Sequence, residues 1–402
     1  MCALFVSTTP PATKLGFLRQ LAKRASARVS GFQLGAMSIG DVPALSANMG
    51  EMNKEKSFQL LDTFWDNGGN FIDTAGHYQD NTSEQIIGEW AEARGIRDQL
   101  VIATKYSSNH FLPAHSVGRA AYTGNSAKSL RNAVEASLKN LRTSYIDILY
   151  VHWWDWETSV EEVMDALHNY VQRGVVLYLG VSDTPAWVVA RANEYARRTG
   201  KTPFVIYQTM YSIMERSAER DILPFVRDEG MAFAPFGVLA GGKIRSDEEE
   251  ERRRQTGEKG RIMPWTGGWE RTPEEKAVCD ALEKVKTEVG ANSLNAGKQN
   301  PRLKLHVADL DFPQVAIAYV MHKAQFVFPI VGGRKPEHLT SNIEALEISL
   351  SDEQMAFLDN VKPLDVGFPL SLIGDGTTYP PLLWSSSLQK VPKAQPIRPT
   401  CA

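Results

Sequence analysis

This sequence predicts an α/β protein of the (β/α)8 TIM barrel class, with a short N-terminal extension, a long loop after strand 7 and a C-terminal tail. Three observations predict it. Strand-like and helix-like stretches alternate over most of the 402 residues. Several strand-like runs are almost continuously apolar, the pattern of strands covered on both faces. No G-x-G-x-x-G turn follows an early strand, as an open doubly wound sheet holding a dinucleotide would normally show.

GFQLGAMS (31–38) opens the series. KEKSFQLLDTFWDNGG then sets Phe58, Leu61, Phe64 and Trp65 on one helical face and stops at glycine. NFIDTA (70–75) and LVIATK (100–105) are the second and third strands. SAKSLRNAVEASLKNLRTS repeats Leu130, Val134, Leu138 and Leu141 at helical spacing and leads into IDILYVHW (146–153). SVEEVMDALHNYVQRG pairs Ser159 with Glu162 as a capping box and ends at Gly174. VLYLGVS (176–182) is followed by TPAWVVARANEYARRTG, with proline near its first turn and glycine at its end. FVIYQT (204–209), the helix RDILPFVRDEG, MAFAPF (231–236), FVFPIVG (326–332) and the helix KPEHLTSNIEAL complete the barrel.

Two stretches break this rhythm. Residues 240–275 hold the charge run SDEEEERRRQTGEKGR, which reads as a solvated helix or loop, or as a mobile lid after the seventh strand. GKQNPRLKLHVADLDFPQ (297–314) has two prolines and no helical period. Removing it would join Ala296 to Val315 in one continuous helical pattern, so it reads as a surface insertion or a translated retained intron. The resulting organisation is an extension over 1–29, a barrel over 30–370 and a tail over 371–402.

Composition narrows the class of protein. A formal charge of −3 argues against a nucleic-acid partner. The hydrophobic fraction of 43% is ample for a large core, and no run approaches the ~20 apolar residues of a membrane span. MCALFVSTTPP lacks the apolar length of a secretory signal, and the basic, acid-free segment 14–29 reads as a solvated leader rather than an organelle-targeting one. Cys2, Cys279 and Cys401 lie far apart, without metal-ligand or redox spacing. They read as reduced thiols in a cytoplasmic protein with no metal.

Functional side chains of such a barrel gather where its strands end. Asp73 and Tyr78 follow the second strand, Lys105 ends the third and His152 ends the fourth. Each alone is weak: a lysine after a strand is usually solvated, and a strand histidine is more often packing than catalysis. Together they make chemical sense. A phenol is a poor proton donor at neutral pH, a neighbouring cation favours its phenolate, and a carboxylate holds that cation charged in a dry pocket. A neutral His152 can donate to a substrate oxygen and orient it. An acid poised this way protonates an oxygen while something else attacks the carbon.

Asp73, Tyr78, Lys105 and His152 resemble the tetrad of the aldo-keto reductase superfamily, over about residues 30–370 apart from 297–314. QLGAMSIGD, GNFIDTA, YIDILYVHWWD, VLYLGVSDTPAWVV, FPIVGGRKPEHLTSNIEAL and DVGFP further resemble its fungal aryl-alcohol dehydrogenase branch, which includes norsolorinic acid reductase-like proteins of secondary-metabolite pathways. The resemblance implies NADPH as hydride donor and an aldehyde or ketone as substrate, or the reverse alcohol oxidation. By motif, Ser182 and Gln208 would hold the nicotinamide carboxamide, with Asp183 where most relatives have asparagine. Tyr211 would stack on the ring, Gly35 and Met37 would line the same pocket, and Lys243 would lie near the pyrophosphate. At the adenosine end Gly332 and the following helix start offer N–H groups to an anion. Arg334 can fork onto a 2′-phosphate, and His338 and Asn342 share one helix face toward the adenine.

Trp153 and Trp154 would wall an aromatic substrate pocket, with Trp156, Trp265 and Trp269 as further candidates. Relatives of the branch mostly carry two asparagines before the tyrosine; here Gly76 and His77 stand there, and His77 either reaches the substrate or points to solvent. Two rival readings stand beside the reductase: an NADPH-binding regulatory module without significant turnover, or a chain inactivated by the 297–314 segment. Neither the substrate nor the oligomeric state is legible in the sequence.

Overall fold

The computed structural model describes residues 10–43, 50–108, 119–258, 268–299, 312–383 and 386–399. A two-stranded antiparallel hairpin, β1 (Arg19–Ala22) and β2 (Ala25–Val29), precedes an eight-stranded parallel sheet. The sheet strands are β3 (Gln33–Gly35), β4 (Phe71–Asp73), β5 (Val101–Tyr106), β6 (Ile146–Val151), β7 (Val176–Ser182), β8 (Ile206–Met210), β9 (Ala232–Phe236) and β10 (Ile330–Gly332). They lie side by side in chain order, with β10 returning to pair with β3. Closure comes from just before β10. Phe233 N donates to Phe326 O at 2.7 Å, and Phe328 N donates to Phe233 O at 2.8 Å. The expected eighth strand, 326–332, is thus two short pieces split at Pro329, which has no N–H for the ladder. One piece bridges to β9 and the other pairs with β3.

The helices of the outer layer follow in order: α1 (Lys54–Asp66), α2 (Thr82–Arg94), α3 (Ala127–Asn140), α4 (Val160–Gln172), α5 (Ala186–Arg198), α6 (Ile222–Glu229), α7 (Asp247–Thr256), α8 (Pro273–Gln299), α9 (Phe312–Met321), α10 (Pro336–Ile343), α11 (Asp352–Val361) and α12 (Leu370–Ile373). Ser159 caps α4 by accepting from Glu162 N. The Glu162 carboxylate does not return to close the expected box. It accepts from Ala127 N at the start of α3, 2.9 Å away. A complete capping box forms instead at Ser351 and Gln354 of α11.

Side chains alternate across each strand, and this alternation builds two cores. Leu34, Ile72, Ile102, Leu149, Val181 and Tyr207 face the helices. Phe71, Ala103, Ile148, Tyr150, Ile206 and Ala234 fill the barrel interior together with Leu21, Ala22, Ala25 and Val29 of the hairpin. Segment 14–29 is therefore not a solvated leader. Its buried apolar residues, Leu21 and Ala22 on one strand and Ala25 and Val29 on the other, belong to a hairpin that plugs the base, and the ribbon is tied on by Asn70 Nδ2 donating to Arg28 O at 2.9 Å and Lys23 N donating to Gly230 O at 3.1 Å. Its basic residues Lys23, Arg24 and Arg28 occupy the exposed side of that plug.

The charge run forms α7, capped by Ser246. It is pinned to the loop by Arg271, whose guanidinium pairs with the carboxylates of Asp247 and Glu250. Of the 297–314 segment, residues 300–311 lie outside the described residues; 297–299 end α8 and 312–314 begin α9. Phe312 and Gln314 are buried, and Gln314 Nε2 donates to Ser341 Oγ at 2.8 Å, so this end of the segment packs as part of the barrel's outer layer.

Candidate active site

The inward positions of successive strands deliver the site. Registers Gly35 to Asp73, Lys105 to Tyr150, Tyr150 to Gly180 and Ser182 to Gln208 set these residues around one end of the barrel. Gly180 is required by close approach: a Cβ there would lie 2.6 Å from the Tyr150 ring. Asp73, Lys105, His152, Ser182 and Gln208 are all buried at this mouth.

At the centre Lys105 Nζ donates to Asp73 Oδ2 at 2.7 Å and to Thr74 O at 2.8 Å. It also lies 5.1 Å from the centroid of the Tyr78 ring and has the Tyr78 side chain as a hydrogen-bond partner. Burial would lower the ammonium's pKa, but the Asp73 carboxylate and Tyr78 outweigh it, so the pKa is raised and Lys105 stays a cation. His152 is driven well below the usual histidine range by burial first, then by His77 and Lys105, so at neutral pH it is an uncharged imidazole. Its Nδ1 lies 3.4 Å from Ser108 Oγ, and its backbone N–H donates to Ser107 Oγ.

Tyr78 is aimed by a turn that sequence reasoning missed. Gln79, Asp80 and Asn81 all have positive φ, an uncommon run for residues with side chains. The turn is held by Gln79, which is fully buried: its Nε2 donates to Gly50 O and Met37 O, and its Oε1 accepts from Val42 N. The one signal in the sequence is a polar run, QDNT, directly after the tyrosine.

His77 and Trp153 border the tetrad. Their rings stand 5.0 Å and 4.4 Å from that of His152 and 6.0 Å from each other. His77 thus faces the catalytic rings. Trp154 does not: it lines a small apolar void with Val160, Met164, Val181 and Val188, packing under α4 and α5. Trp156 is exposed, Trp269 lies under the Arg245 guanidinium, and Trp265 is outside the described residues.

The expected cofactor residues divide. Among the described residues, Ser182 Oγ is buried without a hydrogen-bond partner, and Gln208 donates to Asp73 Oδ1 at 2.8 Å. Asp183 accepts from Thr209 Oγ1 at 2.9 Å and lines a cavity of about 700 Å³ with Met210, Arg220, Phe236 and Leu370. Gly35 and half-buried Met37 sit at the end of β3 beside Gly332. Arg334 and His338 are exposed, with Asn342 buried one turn further along α10. Two further expected residues are engaged within the protein. Tyr211 has no ring face open to a cofactor: it is fully buried, edge-on to Phe233, with its hydroxyl donating to Glu219 at 2.5 Å. Lys243 Nζ donates to Glu275 Oε1 at 2.7 Å.

This barrel, with a buried ammonium between a carboxylate and a phenol at its mouth, defines an oxidoreductase of carbonyl and alcohol groups. The Aldo/keto reductase family model matches residues 32–363, and the chain belongs to that family. It is 54% identical over 393 residues to an aryl-alcohol dehydrogenase (NADP+) of Phanerodontia chrysosporium, covering 97% of each chain. It is 42% identical to a norsolorinic acid reductase of Aspergillus flavus, covering 98% of this chain and 97% of that one. An aldo-keto reductase, ausK, of Aspergillus calidoustus is 45% identical over 92% of this chain and 88% of its own.

Proposed function

We propose that this chain uses NADPH to reduce an aryl or polycyclic aldehyde or ketone to the alcohol, or runs the reverse oxidation. The observation that carries this reading is the buried Lys105 ammonium, hydrogen-bonded to Asp73 on one side and set against Tyr78 on the other. Tyr78 gives its proton to the carbonyl oxygen as that oxygen gains charge. Lys105 stabilises the phenolate left behind, and Asp73 keeps the ammonium in place. His152, uncharged, donates a hydrogen bond to the same oxygen and orients it. Proton donation of this kind contributes roughly 10²–10⁴-fold in rate. Trp153 and His77 provide flat walls that favour aromatic substrates.

NADPH, when bound, supplies the hydride. The buried Ser182 hydroxyl, without a hydrogen-bond partner among the described residues, fits a carboxamide, with Gln208 beside it in strand register and Asp183, Gly35 and Met37 as the further residues that would meet the nicotinamide. Gly332, Arg334, His338 and Asn342 would hold the adenosine 2′-phosphate end, where the chain N-terminal to α10 is open and cationic. Residues 30–370 form the catalytic unit in this reading. No helix among the described residues is long and apolar enough to cross a membrane, which is compatible with work in the cytoplasm.

The test is NADPH oxidation across a panel of aryl aldehydes and anthraquinone ketones, with Tyr78→Phe as the control. The variant keeps NADPH binding and loses turnover. Full turnover in that variant would refute the assignment, and NADPH binding without turnover of any panel member by the parent chain would refute the activity.

A further inference from the structure

Gln208 does something at this mouth that a cofactor contact alone does not explain. Its Nε2 donates to Asp73 Oδ1 at 2.8 Å, while Lys105 takes Asp73 Oδ2 at 2.7 Å. Both carboxylate oxygens are therefore held, one from β5 and one from β8. β4 and β8 are not neighbours in the sheet, so the Gln208 bond crosses the barrel mouth. All three residues are buried, and the ring of Tyr150, itself fully buried, lies below them, with Lys105 Nζ 5.7 Å from its centroid. Water has little room to substitute for a lost amide.

We propose that Gln208 is a positioning residue for proton transfer, holding Asp73 in the rotamer that keeps Lys105 against Tyr78. This rests on the reductase reading above for the role of Tyr78. The physical argument is local. Without the amide, Asp73 Oδ1 becomes a buried acceptor with its charge unanswered, and the carboxylate is free to turn about its Cβ–Cγ bond. The ammonium follows the freed oxygen and leaves the phenol; the buried Tyr150 hydroxyl beside Asp73 is a neutral donor and answers that charge less well than the ammonium does. Tyr78 then ionises at higher pH, as a phenol without its cation does. The Oε1 of Gln208 takes no part in that bond and, in the reductase reading, is the atom that would meet the nicotinamide, so one side chain would serve both the cofactor and the proton donor's support.

The experiment compares the parent chain, Gln208→Met and Gln208→Glu, with circular dichroism confirming the fold of each. The first readout is a tyrosinate absorbance titration of the cofactor-free protein, with the Tyr78→Phe titration subtracted; it needs no activity. Loss of the amide in Gln208→Met is expected to weaken Tyr78 ionisation roughly tenfold. The second readout is the pH profile of kcat: the limb where reduction is lost moves to higher pH in Gln208→Met. Gln208→Glu recovers turnover toward acidic pH, where the new carboxyl is protonated and can donate to Asp73. Unchanged Tyr78 ionisation and pH profiles, with only a weaker Kd for NADPH, would overturn the proposal and leave Gln208 a cofactor contact. If the parent chain reduces none of the panel yet the titration shifts, the reductase reading fails and the positioning role stands.

Discussion

At its base the barrel is stoppered by Leu21, Ala22, Ala25 and Val29 packed on Phe71, Ile206 and Phe328, whereas at its mouth the same inward-facing parity carries Asp73, Lys105, His152, Ser182 and Gln208. Both ends are dry, but they are stabilised by different means. The base gains from apolar area removed from water, at about 25 cal/mol per Å², with no directional demand. The mouth must offset the desolvation of a carboxylate and an ammonium through geometry, so the charged groups there need close partners. The difference teaches why the two ends respond differently to substitution: the base tolerates imperfect packing at some cost in stability, and the mouth fails when one partner is removed.

The largest expected effect lies at the mouth. Lys105→Met should lower kcat by roughly 10²-fold or more, since Tyr78 loses its cation. It should also destabilise the fold by about 3–5 kcal/mol, because Asp73 is left charged and buried. Steady-state rates and denaturant unfolding measure the two parts. A variant with lowered kcat and unchanged stability would mean that the carboxylate finds another partner.

At the base, Leu21→Ala should cost about 2–4 kcal/mol in unfolding free energy while leaving kcat and KM of the folded enzyme unchanged. A kcat defect in that variant would break the comparison, since it would couple the plug to the chemistry.

The smallest effect sharpens the comparison at the rim. Asp183 is exposed on the wall of the rim cavity, so the crowding by surrounding protein that pushes its carboxyl up to about 6, against the Thr209 hydrogen bond and the Lys105 field, is partly screened by solvent and its effect on stability is small. Its folded value is above the unfolded one, so the native state is relatively favoured below the unfolded pKa and loses that advantage as pH rises through about 6. Asp183→Asn should therefore raise Tm more at about pH 8 than at about pH 5. An equal rise at both values would show that the carboxyl does not titrate in this window.

Much of this architecture is legible in the chain itself, for local reasons. Buried parallel strands read as apolar runs, helix ends are punctuated by glycine, and period-two alternation sets Asp73 and Lys105 on inward faces. Tyr78 and His152 are legible through their place at strand ends. Helix α2 is harder to read, because its buried face mixes Ser83, Glu84 and Gly88 with Ile86, Ile87 and Trp90. The 14–29 hairpin looks like a leader because its interspersed apolar and charged residues have no partner in their own neighbourhood of sequence; the surface they cover is assembled from strands far along the chain.

What the sequence by itself determined is the alternation of strand and helix, the parity of each inward residue, and the residue types available for proton transfer. Only the tertiary structure decided that Gln208 reaches across to Asp73, that Tyr211 and Lys243 are spent on Glu219 and Glu275, and that Trp154 packs outward while Trp153 faces His152. The physical reason is range. Period and capping are set by neighbours a few residues apart, whereas hydrogen bonds and ion pairs in a closed barrel join residues whose proximity exists only once the sheet has curled shut.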